Sequence, residues 1–214
     1  GRHRAHVEVP EPLPQMKTYV LVAFISSLSF SAGAAPKKIV CEPAALSIIY
    51  PSGVTTDEKV SVRFSLEGEM LRAKFEVKSR ELNAKKSLGP KEYPFQFDVV
   101  ELFVSASGAP TPYYEFELSP YDQEFQVFVR TPKGPFSDRP GIRTRHTVKR
   151  STDGWVADLR IPLAEIQWNH DPKSIVGNAY AVLGANPPRR HWSLWLPAQE
   201  KPNFHKPEHF KPLL

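Results

Sequence analysis

Two neighbouring stretches of the chain alternate strictly between apolar and polar residues. They are KVSVRFSL (59–66) and MLRAKFEV (70–77), and each carries an apolar residue at every second position. Successive side chains of a β-strand point to opposite faces, so each stretch predicts a half-buried strand. The intervening residues Glu67-Gly68-Glu69 are few enough for a tight turn, and the two strands are therefore predicted to form an antiparallel hairpin.

Similar runs recur along the rest of the chain, at 98–105, 113–119, 124–130, 143–150, 154–161 and 179–185. Stretches rich in Gly, Pro and Ser separate them, such as SASGAPTP and TPKGPFSDRPG. Many short strands with such punctuation favour a sandwich or barrel. We predict an all-β fold, an antiparallel β-sandwich of the jelly-roll or immunoglobulin-like kind. One short helix is predicted at PLAEIQW (162–168), with Pro162 in its first turn.

The N-terminal part divides into three predicted segments. Residues 16–34 begin with Met16 and Lys17, continue with an apolar stretch and end in Ala32-Gly33-Ala34, the layout of a secretory signal peptide cleaved after Ala34. Residues 1–15 are predicted to be an unstructured upstream extension, and residues 35–59 a lead-in with the first strand. We therefore expect a secreted or periplasmic protein that has no membrane association after signal removal.

Composition narrows the class of protein further. The chain has 214 residues, 41% of them hydrophobic, which suits one globular domain over 60–214. The formal charge of +5 is spread along the strands with no basic stripe, so no nucleic-acid partner is expected. Cys41 is the only cysteine, which excludes an intrachain disulfide and leaves stability to the core. We expect a monomer.

The histidines near the end of the chain are the first candidates for a metal site. His205 and His209 are four residues apart, as zinc ligands on a helix often are. Pro207 between them counts against a regular helix, and His191 lies fourteen residues before His205 in a predicted strand. We therefore predict surface or turn histidines and no metal ligands.

Four carboxylates lie on two consecutive strand runs: Asp98, Glu101, Glu115 and Glu117. If these runs pair as a hairpin, Glu101 lies near Glu115 or Glu117. Two carboxylates about 5 to 9 Å apart can hydrolyse a glycosidic bond. The alternatives are that they neutralise nearby cations, accept hydrogen bonds from sugar hydroxyls, or hold a calcium ion. No Gly-x-Ser-x-Gly elbow or phosphate-binding glycine loop supports an enzyme, and no catalytic residue is assigned.

Aromatic residues border several of the predicted strands: Tyr93, Phe95, Phe97, Tyr113, Tyr114, Phe136, Trp192 and Trp195. Sugar rings pack their C–H faces on such side chains, and their hydroxyls need a few fixed polar partners. Trp192 and Trp195 are three positions apart, so in a strand they point to opposite faces. The alternative is that both tryptophans pack in the core.

Four motifs occur in an order that resembles one family. They are LRAKFEVKS, FDVVELFVSASGAPTPYYEFELSP, GWVADLRIPLAEI and HWSLWLPAQEKPNFHKPEHFKPLL. The chain from 60 to 214 thereby resembles carbohydrate-binding family 9-like domains (CBM9-like, related to DOMON domains). The resemblance implies a β-sandwich that holds a sugar ring between two aromatic side chains, with structural calcium in some members. No other cofactor is expected.

The resemblance also implies a set of ligand-binding residues. The aromatic before the strand falls on Phe95, with Tyr93 beside it, and the strand carboxylate falls on Glu101. The C-terminal aromatic falls on Trp192, with Trp195 as the alternative. Further contacts are expected from Arg189, Asn186 and Tyr113.

The expected function is therefore non-catalytic carbohydrate binding, linked to the breakdown of carbohydrate or cell-wall polysaccharide. Two alternatives remain open. One is a glycoside-cleaving enzyme that uses the strand carboxylate pair. The other is a DOMON-like envelope interaction module or haem-binding module that does not bind sugar.

Overall fold

The computed structural model describes residues 38–138, 140–185 and 188–214, apart from the side chain of Asp138. The predicted upstream extension and signal peptide lie outside these residues. In chain order the strands are β1 (Lys38–Val40), β2 (Ala44–Ala45), β3 (Ser47–Tyr50), β4 (Lys59–Glu67), β5 (Met70–Lys78), β6 (Val99–Ser105), β7 (Tyr113–Leu118), β8 (Glu124–Val129), β9 (Phe136–Asp138), β10 (Arg145–Ser151), β11 (Gly154–Pro162), β12 (Val176–Leu183), β13 (Arg190–Ser193) and β14 (Lys211–Pro212).

These strands form two antiparallel sheets. The first sheet has the order β1-β4-β5-β11-β10, with β2 also paired to β4. The second has the order β3-β13-β12-β6-β7-β8-β9, with β14 also paired to β12. The predicted hairpin is β4 and β5, turned at Gly68, whose φ of 62° suits a residue without a side chain. The all-β prediction is confirmed.

Alternation along the strands builds the core between the two sheets. Phe75 of β5 and Trp155 of β11 point inward from the first sheet, and Leu102 and Phe116 point inward from the second. Burial of these apolar side chains stabilises the sandwich by roughly 1.5 to 3 kcal/mol for each large aliphatic or aromatic residue. Residues 35–59, expected to hold one strand, contain β1 to β3, which pair with strands of both sheets.

Helical structure is limited to short turns in the described residues. The predicted helix at 162–168 is a 3-10 helix over Leu163–Ile166, ended by Gln167 in the left-handed region. Three further 3-10 helices cover Pro94–Gln96, Pro172–Ser174 and Pro207–His209. No helix in this part of the chain is long and apolar enough to cross a membrane.

A second apolar layer lies on the outer face of the second sheet. It contains Phe103 of β6, Phe125 of β8 and Tyr180 of β12, with Phe204 of the C-terminal segment packed on them. Tyr180 and Phe204 stack with ring centroids 4.3 Å apart. The segment after β13 therefore folds back over this face, and the uncovered part of the face forms a cleft.

Candidate functional site

The cleft on the outer face of the second sheet has a volume of about 580 Å³. Its lining is mostly aromatic or apolar, with three glutamates and no Lys or Arg among the described residues: Tyr93, Phe95, Glu101, Phe103, Glu115, Glu117, Phe125, Val127, Phe136, Val182, His191, Pro202, Asn203, Phe204 and His205. Strands β6, β7 and β8 supply its floor. The C-terminal segment and the turn before β6 supply its walls.

Strand register explains why the glutamates gather in the floor. Glu101 of β6 is paired with Glu117 of β7, and Glu117 is paired in turn with Phe125 of β8. Paired residues of an antiparallel sheet share a face, with Cβ atoms about 4.5 to 5.5 Å apart. The expectation that Glu101 lies beside a β7 glutamate is therefore confirmed. Glu115 follows on the same face, opposite Phe103.

The three carboxylates are buried although they line a cleft. Glu117 is 0% exposed, Glu101 4% and Glu115 7%. Burial, reinforced by the neighbouring carboxylates, raises the pKa of Glu101 and of Glu117 well above the usual range. Glu101 and Glu117 therefore hold protons at pH values where an exposed glutamate has lost them.

Glu117 links the floor of the cleft to its wall. The backbone N–H of Phe95 donates to Oε2 of Glu117 at 3.0 Å. Oε1 of Glu117 is buried and has no hydrogen-bond partner among the described residues. A buried polar atom without a partner is costly, and a ligand hydroxyl in the cleft can satisfy it.

Asp98, the fourth predicted carboxylate, belongs to the scaffold. Its Oδ1 accepts from the Gly184 N–H at 2.7 Å, and its Oδ2 accepts from the Asn83 N–H at 2.8 Å. Burial raises the pKa of Asp98. The side chain joins the start of β6 to the segments around Asn83 and Gly184, and it does not line the cleft.

One wall of the cleft is a stacked aromatic pair, Tyr93 and Phe95. Their ring centroids are 5.3 Å apart and their planes differ by 7°. Tyr93 packs on Phe125 at 4.9 Å, whereas Phe95 is 43% exposed. The 3-10 helix Pro94–Gln96 fixes the pair, since the Gln96 side chain accepts from the Tyr93 N–H at 2.9 Å. The sequence prediction placed both aromatics in the site, and the structure brings them there.

A second aromatic pair lies farther along β8. Phe136 of β9, paired with Val129, stacks on His205 with centroids 5.1 Å apart and planes 20° apart. Phe136 is 45% exposed. Phe125 and Val129 are four residues apart in β8, so about 13 Å of strand separates the two aromatic pairs. Both pairs line the same cleft.

Arg189 supports the wall of the cleft that Tyr93 and Phe95 form. Its guanidinium donates to the carbonyl of Phe95 at 2.8 Å, to that of Phe97, and to that of Gly184 at 3.2 Å. Burial lowers the pKa of Arg189. Arg189 was predicted as a ligand contact, but its guanidinium is hydrogen-bonded to these carbonyls and does not line the cleft. Asn186, also predicted, lies outside the described residues.

The prediction that Trp192 faces outward as a platform is wrong. Trp192 pairs with the inward-facing Ala181, is 5% exposed and packs in the core between the sheets. Its neighbour His191 takes the outward position and lines the cleft. Trp195 is half-buried against the same core, with Lys211 Nζ 5.8 Å from its ring centroid, so it does not line the cleft either.

Tyr113 is a predicted site residue that lies beneath the cleft. It is fully buried in the outer apolar layer, and its hydroxyl is 2.7 Å from Nδ1 of His205. Burial lowers the pKa of His205 and that of His191, which keeps both rings neutral near pH 7. Tyr113 thus positions His205 and makes no direct contribution to the lining.

The described residues contain no group of three or more His, Cys, Asp and Glu side chains arranged to hold a metal ion. Structural calcium stays a prediction of the resemblance. His209 lies in the 3-10 helix Pro207–His209, outside the cleft lining.

Seven lining residues received no role in the sequence analysis: Phe103, Phe125, Val127, Val182, Pro202, Asn203 and Phe204. Glu115, Glu117 and Phe136 were candidates for contact with a ligand, whereas His191 and His205 were considered only as metal ligands. Alternation in EFQVFVR could have indicated the outward face of β8, because Phe125 and Val127 share it. His191 faces out, and Trp192 does not, because of the register in which β13 pairs with β12. The local sequence around His191 gives no sign of this register.

The fold and the cleft define a class: an all-β sandwich with an aromatic and acidic cleft on one sheet. No family model matches the chain. An Arthroderma benhamiae protein named "Extracellular protein" is 27% identical over 121 residues, which is 50% of this chain and 54% of that protein. The chain therefore spans about half the length of this curated relative.

Solved structures identify the particular fold. A candidate carbohydrate-binding protein from Bacteroides uniformis matches with a TM-score of 0.63 at 19% identity, over 79% of this chain and 84% of that one. A CBM9 module from Caldicellulosiruptor kristjanssonii in complex with cellotriose matches with a TM-score of 0.54 at 15% identity, over 81% and 78%. Its glucose complex gives 0.52 at 15%, over 78% and 81%. The chain has the CBM9-like β-sandwich fold, as the resemblance implied.

Proposed function

We propose that the cleft on the second sheet binds a carbohydrate. The observation that carries the proposal is the junction of Phe95 and Glu117. An exposed aromatic ring stands there next to a buried carboxyl group whose Oε1 has no hydrogen-bond partner among the described residues, and the Phe95 N–H donates to the other oxygen of that group. A sugar ring offers the matching pair of surfaces, an apolar C–H face and hydroxyl donors.

The chemistry of the lining supports a sugar over a wholly apolar ligand. Small-molecule sites commonly span about 300 to 1,000 Å³ and combine apolar walls with a few polar groups, and this cleft falls within that range. Ionised Glu101 or Glu117 accepts hydrogen bonds from hydroxyls, and the protonated form donates one. Asn203 adds an amide at the rim.

The two aromatic pairs give the cleft two stacking surfaces. In our proposal the Tyr93–Phe95 pair stacks against one sugar face, and the Phe136–His205 pair takes the second role that the resemblance had assigned to Trp192. Stacked pairs are rigid, so little side-chain entropy is lost when a ring packs on them.

We further propose that the protein acts outside the cytoplasm without cleaving its ligand, in the breakdown of external polysaccharide. The signal-peptide pattern of residues 16–34 supports export, and the name of the Arthroderma benhamiae relative agrees with it. The burial of Glu101 and Glu117 in the floor of the cleft, at 4% and 0% exposed, supports binding over hydrolysis, because an attacking water needs access to a carboxylate.

Titration calorimetry with glucose and cellotriose tests the binding proposal. Phe95→Ala is expected to weaken sugar binding about tenfold, since loss of one stacking contact costs about 1.4 kcal/mol. Leu82→Ala is the matched control, because Leu82 is equally exposed at 42% and lies outside the cleft. Equal affinities of wild type and Phe95→Ala would refute the site.

Glycoside cleavage is a second candidate function, favoured by the side-by-side placement of Glu101 and Glu117 with raised pKa values. A carboxyl group with a raised pKa is typical of the general acid in such enzymes. A panel of chromogenic glycosides tests it, with Glu117→Gln as the inactive reference. Release of the chromophore by wild type alone would support cleavage, and no release across the panel would dismiss it.

A further inference from the structure

The outer face of the first sheet gathers charges that are scattered in the sequence. The outward positions of β4, β5, β11 and β10 carry eight cations: Lys59, Arg63, Arg72, Lys74, Lys78, Arg145, Lys149 and Arg160. Other outward positions of these strands carry three carboxylates, Glu67, Glu76 and Asp158. We call this surface the basic face. Its excess of five positive charges equals the formal charge of the whole chain.

Strand register lines up these cations in rows. Arg72 of β5 is paired with Arg160 of β11, and Arg160 is paired with Arg145 of β10. Three arginines thus stand side by side on adjacent strands, about 4.8 Å apart at the backbone. At another point of the face Lys59 is directly opposite Lys78.

Such an arrangement is unfavourable for the isolated sheet. Like charges directly opposite each other in a sheet are destabilising. Asp158 offsets part of this by pairing with Arg72 and, at 3.5 Å, with Arg160, and Glu76 pairs with Lys74 at 2.8 Å. Arg145, Lys149 and Arg63 form no ion pair with any described residue, and all three are exposed.

The basic face offers charge and little else. Among its outward positions only Val156, Met70 and Pro162 are apolar, and none is aromatic. A membrane surface would call for apolar or aromatic side chains to insert, and single-stranded nucleic acid for aromatic rings on which bases stack. Arg145 and Arg63 are exposed and form no ion pair with any described residue, and such guanidinium groups bind planar carboxylates in a two-pronged manner.

We infer that the basic face binds an acidic polysaccharide whose sugars carry carboxylates. The four strands present a surface about 15 Å wide and about 30 Å long at the nine residues of β4, which accommodates an extended polymer. The basic face and the cleft lie on opposite sides of the sandwich, so both can be occupied at once. The inference does not depend on sugar binding in the cleft.

Affinity electrophoresis and calorimetry with polygalacturonate test this inference, with neutral dextran as the polymer control. Wild type is expected to bind polygalacturonate and not dextran, more weakly at 0.3 M than at 0.05 M salt because the contacts are exposed charges. The double variant Arg145→Glu with Lys149→Glu is expected to bind at least about tenfold more weakly, the change that a loss of about 1.4 kcal/mol produces. Failure of wild type to bind polygalacturonate at 0.05 M salt would overturn the inference.

Two further variants test whether polymer binding depends on the basic face itself, and not on the total charge or on a change in folding. Lys173→Glu with Lys201→Glu gives a similar reversal of charge away from the basic face and should keep wild-type affinity; an equal loss in this pair would overturn the inference. Arg63→Gln removes the like charge opposite Lys74 and should weaken polymer binding without loss of thermal stability. Tighter binding of duplex DNA than of polygalacturonate, at equal concentrations of charged groups, would assign the face to nucleic acid and refute the inference.

Discussion

Replacing Glu117 by Gln should change how the stability of the protein depends on pH. Glu117 is wholly buried between Glu101 and Glu115, and its Oε2 accepts from the Phe95 N–H. Burial first, and the neighbouring carboxylates second, raise its pKa well above 4.5 in the folded state. Glutamine keeps the shape and the acceptor for Phe95 but carries no titrating proton.

The sign follows from proton linkage. A carboxyl whose pKa is higher in the folded than in the unfolded chain stabilises the fold below the unfolded pKa, and that contribution is lost as pH rises through the folded pKa. Each unit by which the folded pKa exceeds the unfolded one corresponds to about 1.4 kcal/mol. Between pH 5 and pH 9 the free energy of unfolding of wild type should therefore decrease relative to that of Glu117→Gln, since the buried histidines contribute equally to both proteins.

Urea denaturation at pH 5, 7 and 9 measures this difference. Glu76→Gln is the control, because Lys74 lowers the pKa of the exposed Glu76; its contribution is lost only at pH values below its unfolded pKa, so this variant should keep the wild-type pH dependence between pH 5 and pH 9. If wild type and Glu117→Gln lose the same free energy between pH 5 and pH 9, the buried carboxylate floor does not titrate as we describe.

Three further predictions concern the core, the support of the cleft wall and a strand glycine. Trp192→Ala should lower the free energy of unfolding by about 3 to 5 kcal/mol through the cavity left in the core, and sugar affinity of the folded fraction, measured by calorimetry at low temperature, should be unchanged. Arg189→Lys should weaken sugar binding by releasing the carbonyls of Phe95 and Phe97, with a smaller effect on the melting temperature; equal affinity would show that the wall needs no such support. Gly154→Ala should destabilise the protein in thermal melts, because φ is 151° and a Cβ would lie 1.9 Å from the Val77 carbonyl oxygen.

Local alternation was sufficient to predict the parts of the fold that depend on neighbouring strands. KVSVRFSL and MLRAKFEV form the hairpin that their pattern predicts, since the turn between them is short and both have one apolar face. The same reasoning placed Glu101 beside a glutamate of β7, because β6 and β7 are also consecutive. Tyr93 and Phe95 reached the cleft because the chain leads directly from them into β6.

Pairing between distant strands could not be predicted in the same way. Trp192 points inward because β13 lies between β3 and β12 in a register that sets it opposite Ala181, and nothing in HWSLW specifies that register. The partnership of Phe136 with His205 joins segments nearly seventy residues apart in sequence. The basic face is a further case, because its cations come from four strands and alternate with apolar residues in each of them.

The most direct test of the central claim is to locate a bound sugar by amide chemical-shift mapping with cellotriose. Binding in the cleft predicts that the largest shifts occur at Phe95, Glu117, Asn203 and His205, and that the amides of the basic face stay unchanged. Shifts concentrated around Trp195 or on the first sheet, or no shifts at millimolar cellotriose and glucose, would contradict the account of the cleft as a sugar-binding site.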